Sequence, residues 1–313
     1  MYKNLIEKLK EYNSIVIFRH ARPDGDAVFS QFAMYQFLLD NFRDKSIYMY
    51  SHDTYDILPY RNIVPKKVLK ESLAIVLDTA NTKRIDGNDA YLNCKYIIKI
   101  DHHPITDNYG NINIVDDKAA AVSEILATIL LGKEFSKYIL SEKTCCYLYS
   151  GIISDSKNFT ISSTTCNTLL IASKLVEKAK LDISAISNFV FNENISEFKK
   201  STEVRKLLKV NKGVGYIIAS NKTLENLHMS SDEIKNRIDE FDSINNLKIW
   251  CIFAYNKKTK LYDASLRSRR KYVINEVAKE YNGGGHKNAS GIKGITRSDI
   301  KVIVTKLVEI ASN

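Results

Sequence analysis

The sequence predicts an α/β protein in which an N-terminal parallel sheet is joined by a helix to a smaller, mixed α/β C-terminal unit. Three observations carry that expectation. Short apolar runs rich in Ile and Val alternate with longer helical patterns through the first two thirds of the chain, as strands buried on both faces of a parallel sheet do. Several of those runs stop abruptly in an acid or an imidazole, and open α/β sheets place their sites at the carboxyl ends of strands. The last third changes rhythm, and 313 residues exceed one ordinary core.

In chain order, Leu5 to Tyr12 reads as a short helix and Ser14 to Phe18 as a compact strand. The polar stretch Arg19-His20-Ala21-Arg22-Pro23-Asp24-Gly25-Asp26 follows, and a helical pattern then runs from Ala27 to about Phe42. Pro23 fixes the backbone and Gly25 permits a tight turn, so that His20, Asp24 and Asp26 can converge. A helix N-cap would explain one of these acids, but not a histidine with two carboxylates. Ile47 to Tyr50 is a second strand, leading into a polar stretch with Pro59 and Pro65. Leu73 to Leu77 then runs straight into Asp78-Thr79-Ala80-Asn81.

Tyr96 to Ile100 ends in Asp101-His102-His103-Pro104. Adjacent histidines cannot face the same way on a strand, so this motif gains weight only from its recurrence elsewhere. Ile112 to Val115 is a short strand, and Ala119 to Leu131 and Glu142 to Tyr149 are helical patterns. The apolar segment Gly151 to Ser154 closes in Asp155 and is counted with the strand ends. Thr164 to Lys180 is helical, and Phe189 to Leu208, which lacks Gly and Pro, reads as one linking helix.

Together His20, Asp24, Asp26, Asp78, His102 and Asp155 predict a dinuclear metal site. Two ions ~3.5–4 Å apart need a bridging carboxylate, with neutral donors to limit the negative charge. Imidazole and carboxylate without thiolate favour manganese over structural zinc, and magnesium would use fewer histidines.

The last third holds strand patterns at Val214 to Ala219, Lys248 to Tyr255 and Leu261 to Leu266, then a helix from Val273 to Tyr281. Gly283-Gly284-Gly285-His286 follows, with Ala289, Ser290 and Gly291 beyond it. Glycines let backbone N–H groups approach an anion, and Ser265, Arg267, Arg269 and His286 would complete a phosphate cradle. The plainer alternative is a sharp helix-to-strand turn. Neither a Walker motif nor a dinucleotide fingerprint is present, which argues against kinase and dehydrogenase chemistry. Residues 206–313 carry 20 Lys and Arg against 11 Asp and Glu, whereas residues 1–205 are nearly balanced at 26 against 25. The basic third should face an anion. The chain shows no apolar run of ~18 residues and no signal peptide, and its cysteines form no CxxC pair, so a cytoplasmic, non-membrane setting is expected.

These ordered motifs resemble the DHH phosphoesterase superfamily, specifically its bifunctional oligoribonuclease (nano-RNase) and pAp-phosphatase branch with a DHH-associated C-terminal domain. The resemblance spans His20 to Asp26, Asp78 to Asn81, Asp101 to Pro104, Asp155, Ser265 to Ser268 and Gly283 to His286. It implies a catalytic DHH domain over 1–185, a linking helix over 186–208 and a substrate-binding domain over 209–313, with substrate in the cleft between domains. It also implies that His20, Asp24 and Asp78 hold one metal and that Asp26, Asp78, His102 and Asp155 hold the other. Asp78 would be the bridge, Asp101 would orient a ligand histidine, and His103 would touch the scissile phosphate. Arg267 and His286 would grip a nucleotide phosphate.

Two departures leave the ligands intact and bear on substrate fit. Phe29 stands where the branch has Gly, and Ser156-Lys157-Asn158-Phe159 replaces Thr-Gly-x-Phe. The implied activity is manganese-dependent hydrolysis of short 5′-phosphorylated RNA or DNA oligonucleotides to mononucleotides, and of 3′-phosphoadenosine 5′-phosphate (pAp), a 3′,5′-nucleoside bisphosphate, to AMP. Cleavage of cyclic dinucleotides, or of pApA and pGpG, is the enzymatic rival. RecJ-like exonucleases, family II pyrophosphatases and a non-catalytic RNA-binding module fit less well. The resemblance is compatible with a homodimer.

Overall fold

Alternation of side chains along each strand decides which way the first sheet turns its apolar residues. The computed structural model describes residues 2–52, 64–269 and 271–312, and it divides into two units, Met1–Asn192 and Glu193–Asn313. The first unit runs α1 (Lys3–Glu11), β1 (Ser14–Phe18), α2 (Gly25–Asn41), β2 (Ser46–Met49), α3 (Lys66–Leu69), β3 (Leu73–Leu77), α4 (Asn88–Tyr91), β4 (Tyr96–Asp101) and β5 (Ile112–Val115). It continues through α5 (Val122–Leu130), α6 (Glu142–Asp155), α7 (Cys166–Ala179) and α8 (Ile183–Phe191). The strands pair in parallel in the order β2-β1-β3-β4-β5.

Ile15, Ile17, Ile75, Ile98 and Ile100 share one core with Phe37 of α2, Leu126 of α5 and Ile152 of α6. Val16, Phe18, Ala74 and Val76 turn to the opposite face, against Leu69 and Tyr91. With both faces covered the strands are apolar throughout, as the sequence suggested. The chain leaves β1 toward β2 on one side and returns as β3 on the other. The loops after β1 and β3 therefore diverge, and the crevice between them is the topological switch point where such sheets bind ligands.

Two sequence expectations are corrected here. Gly151 to Asp155 is the last stretch of helix α6, not a strand end. Its apolar residues continue a helical pattern, with Cys145, Leu148, Tyr149, Ile152 and Ile153 all buried. The single linking helix expected over 186–208 is two helices, α8 and α9 (Ile195–Lys206), separated at Asn192 to Asn194. Asn194 starts the second by accepting the Glu197 N–H on its side chain at 3.0 Å, a competition with helix continuation that Asn is suited to win. Pro65 lies just before α3, while Pro59 falls outside the described residues.

After α9 the second unit runs β6 (Lys209–Asn211), β7 (Val214–Ala219), α10 (Asn221–Leu227), α11 (Ser231–Asn236), β8 (Ile249–Asn256) and β9 (Leu261–Ser268). It closes with α12 (Asn275–Glu280), β10 (Gly284–His286), β11 (Ala289–Ile295) and α13 (Arg297–Ser312). Its sheet has the order β10-β11-β9-β8-β7-β6, in which β7 and β8 are parallel and the other pairs antiparallel. Val214, Cys251 and Phe253 face one apolar cluster, and Ile217, Trp250 and Ile252 face another. This is the mixed α/β C-terminal unit that was expected. Among the described residues no helix is long and apolar enough to cross a membrane.

Candidate metal centre

His20 follows β1 and is 2% exposed. Its Nδ1 lies 2.9 Å from the Ala21 carbonyl, which can only accept, so Nδ1 carries a hydrogen and Nε2 is the nitrogen turned to the carboxylates. That Nε2 is 3.6 Å from Asp24 Oδ2 and 3.6 Å from Asp78 Oδ2. Asp24 is also the N-cap of α2, accepting the Ala27 N–H at 3.1 Å, so the cap and the cluster share one residue. Asp78 ends β3 with φ 51°, in the left-handed region that Asp tolerates better than most side chains. Its Oδ1 lies 3.4 Å from His102 Nε2, whose ring is 3.5 Å from Asp155 Oδ2 at the end of α6.

Asp26 completes this half from the first turn of α2. It is fully buried against the start of α5, where Oδ2 accepts the Val122 N–H at 2.6 Å and Oδ1 accepts the Ser123 N–H at 3.1 Å and hydroxyl at 2.5 Å. His20, Asp24 and Asp78 form one group with ligand atoms within 4.8 Å of one another, and Asp26, His102 and Asp155 form another. Asp78, His102 and His103 form a third such group, so Asp78 belongs to both sides.

Asp101 orients a histidine, but not the one expected to be a ligand. Its Oδ1 receives His103 Nδ1 at 2.8 Å. Alternation explains this: residues 101 and 103 point the same way as the strand ends, and His102 points the other way. His102 Nδ1 instead faces the Ala119 carbonyl at 3.3 Å.

In the second unit Gly284 to His286 form an edge strand. Gly284 pairs with Gly291, and Gly291 with Ser265; His286 pairs with Ala289, and Ala289 with Arg267. Ser265, Arg267 and His286 thus share one sheet face. A Cβ at Gly283 would lie 2.3 Å from the Gly291 carbonyl, and Gly285 has φ 136° with Ala289 O 2.4 Å from such an atom, so the fold itself requires both glycines. At Gly284 a Cβ would meet nothing within 4 Å. Arg269 does not join this face. It donates to the carbonyls of Asp242, Leu247 and Ile244 and lies over the Trp250 ring at 5.0 Å, because the chain turns away directly after β9.

Residues 14–152 match the DHH family, N-terminal domain, and residues 213–313 match the DHHA1 domain. A Streptococcus mutans protein described as a probable bifunctional oligoribonuclease and PAP phosphatase, NrnA, is 34% identical over 309 residues, covering 98% of this chain and 97% of its own. The chain belongs to the DHH family. Bacillus subtilis NrnA, a bifunctional oligoribonuclease and PAP phosphatase, is 30% identical over 311 residues, covering 93% of this chain and 92% of its own. The crystal structure of an exopolyphosphatase-related protein from Bacteroides fragilis shares the fold, with a TM-score of 0.85 at 24% identity over 98% of this chain and 94% of the other.

The electrostatics of the DHH centre call for cations. Burial alone would keep His20 neutral, but the Asp24 and Asp78 carboxylates beside it raise it to about 10. Burial opposes charging of His102 too, yet Asp78, Asp26 and Asp155 raise it to about 10. Burial and then the charge of Asp78 push Asp26 up to about 7, and burial with the charge of Asp26 pushes Asp155 up to about 8. Asp78 is held below the carboxylate range, because the His102 and His20 rings beside it outweigh its burial. His20 Nε2 and Asp78 Oδ1 are nevertheless buried atoms without a hydrogen-bond partner. Their 3.4–3.6 Å contacts are long for hydrogen bonds, whereas donors about 2.1 Å from a shared ion stand roughly 3.0–3.5 Å apart. The donor set fits divalent metal.

One residue at this centre escaped the sequence reading. Lys99, in the middle of the apolar β4 run, is completely buried, with Nζ 3.2 Å from Asp101 Oδ2. The available signal was a lysine inside a strand two residues before an acid, since lysine is almost never buried unpaired.

Proposed function

We propose that this DHH protein is a dinuclear, manganese-dependent phosphoesterase that hydrolyses short 5′-phosphorylated oligonucleotides to mononucleotides and pAp to AMP. The observation that carries the reading is Asp78, whose Oδ2 faces His20 and whose Oδ1 faces His102. A carboxylate set between two donor groups supports two ions, one held by His20, Asp24 and Asp78 and the other by Asp26, Asp78, His102 and Asp155. Nitrogen and oxygen donors without thiolate favour manganese. Bound ions would supply Lewis acidity and an acidified water near neutral pH.

The chain's own groups do the remaining work. His103, held at Nδ1 by Asp101, directs Nε2 to the scissile phosphate, where, when that nitrogen also carries a proton, it donates to an oxygen or gives the proton to the leaving group. Asp24, the most exposed of the carboxylates, marks the open side from which substrate enters. In the DHHA1 unit, Ser265, Arg267, Gly285 and His286 bind the nucleotide phosphate, and Gly284 leaves room for it. Arg269 acts there only by holding the fold. The names of the relatives support the substrate choice, and the surplus of positive charge in residues 206–313 agrees with it. Free cysteines fit a reducing cytoplasm.

The test is product analysis with metal-stripped protein, with and without manganese, on pAp, pApA, a five-nucleotide RNA and cyclic di-AMP. Manganese-dependent AMP from pAp and mononucleotides from the RNA are expected. Preferential opening of the cyclic dinucleotide, or no product at all, would overturn the proposal.

A further inference from the structure

We infer that Lys99 is a positioning residue for the reaction: its buried ammonium fixes Asp101, and through Asp101 the ring of His103, against the loops that follow β3 and β4. This rests on the phosphoesterase reading above. An ammonium has three hydrogens to place. Lys99 Nζ donates to the Ala80 carbonyl at 3.0 Å and to the Asp107 carbonyl at 3.0 Å. Its third contact is Asp101 Oδ2 at 3.2 Å, an ion pair without hydrogen-bond alignment. The Tyr109 ring covers it, with the centroid 5.0 Å away.

Alternation places residues 99, 101 and 103 on one side of the chain. Asp101 therefore divides its oxygens, with Oδ2 toward Lys99 and Oδ1 toward His103, whose Nδ1 stands at 2.8 Å and whose backbone N–H stands at 3.3 Å. A carboxylate only accepts, so Nδ1 carries the ring hydrogen and Nε2 is the atom left for substrate. The same ammonium holds Ala80, two residues beyond Asp78, while Tyr109 Oη bonds the intervening Thr79 carbonyl at 2.9 Å. One cation thus braces both the acid–histidine pair and the segment that delivers the shared carboxylate.

Stability alone does not account for this pair. A fully buried ion pair can usually be replaced by apolar residues with little loss or some gain, and β4 is otherwise apolar up to Asp101. Orientation is what the ammonium adds and an isoleucine would not.

The experiment compares the full chain with Lys99→Met, Asp101→Asn and the double variant Lys99→Met/Asp101→Asn. Nitrogen-15 spectra of the histidine rings, recorded on metal-free protein, report the tautomer of His103 without requiring turnover. Kinetics on pAp with manganese report kcat and KM. For Lys99→Met we expect kcat to fall about 10- to 100-fold with KM changed less than about threefold, as when a group behind a reacting histidine is lost. His103 should lose its fixed Nδ1–H form, while the signals of the His20 ring stay as in the unsubstituted protein. Should Lys99→Met fail to fold, the double variant leaves no unpaired buried charge, and it should fold with the same loss of kcat and of the His103 signature. A folded variant lacking Lys99 that keeps wild-type kcat, or the Nδ1–H form of His103, overturns the inference. Wild-type protein inactive on every substrate would instead overturn the proposed function, and the spectra would still decide the role of Lys99.

Discussion

At Asp78 the backbone sits at φ 51°, where a residue bearing a side chain gives up roughly 1–2 kcal/mol. The return is a carboxylate turned so that each oxygen meets a different histidine. Asp78→Ala should therefore lower kcat/KM by more than about 10³-fold, beyond the roughly 10- to 100-fold cost of losing an outer partner, and should reduce bound manganese measured by elemental analysis. Near-native turnover in that variant would remove the bridge. The histidines make a second prediction. Without metal, His20 and His102 are raised from the ordinary 6.5 to about 10, so the stability they contribute is complete below pH 6.5 and is lost as pH rises toward 10. Asp26 and Asp155, raised from 3.8 to about 7 and about 8, also favour the fold most when protonated, and that advantage fades as pH passes through those values. Manganese replaces these protons, so the rise in Tm on adding it should be larger at about pH 8.5 than at about pH 5.5. Equal rises would count against the cluster as the metal site. The members of the acid and imidazole cluster were legible because such residues directly after apolar runs are local signals. The roles of Lys99 and Arg269 were not, since Arg269 is placed by the carbonyls of Asp242, Ile244 and Leu247, which lie more than a strand away in sequence.

Helix α6 does two jobs, delivering Asp155 at its end and admitting Asp26 at its side. A Cβ on Gly151 would stand 2.0 Å from Ser123 Oγ and 2.7 Å from Asp26 Oδ1. Alanine is preferred over glycine inside helices by about 1 kcal/mol, yet here the clash should dominate. We expect Gly151→Ala to weaken manganese binding about tenfold or more in calorimetric titration and to lower Tm. Unchanged affinity would mean that Asp26 takes no part in holding metal. This helix also marks where periodicity stops discriminating, because a four-residue run such as Gly151 to Ser154 suits a buried strand and a buried helical turn equally. Past Asp155 the backbone holds three consecutive left-handed residues, Lys157, Asn158 and Phe159, at φ 46°, 56° and 66°. Ser156 braces them by accepting the Phe159 N–H on its hydroxyl at 3.0 Å and the Thr160 N–H on its carbonyl at 3.0 Å. The related motif has Gly at the place of Lys157, so this departure was visible in sequence, but the bracing that accommodates it was not.

Over the whole molecule, each of the two units, which divide after Asn192, encloses apolar clusters of its own. The helix boundary was missed because Asn192 closes α8 and Asn194 caps α9 without Gly or Pro between them. The charge asymmetry belongs to this scale. If residues 206–313, with 20 basic against 11 acidic residues, hold substrate phosphates, KM for a five-nucleotide RNA should rise about tenfold between 50 and 200 mM salt, as for two to three neutralised phosphates at roughly 0.7 per phosphate. A salt-independent KM would point to recognition by the metal centre alone. Every member of the candidate metal cluster, from His20 to Asp155, precedes Asn192. At roughly 5–20 residues per second, the ribosome needs about 6–24 s more to add residues 193–313. The whole cluster is thus synthesised before the second unit is complete, and on the proposed function the order of synthesis would let manganese loading precede the appearance of that unit.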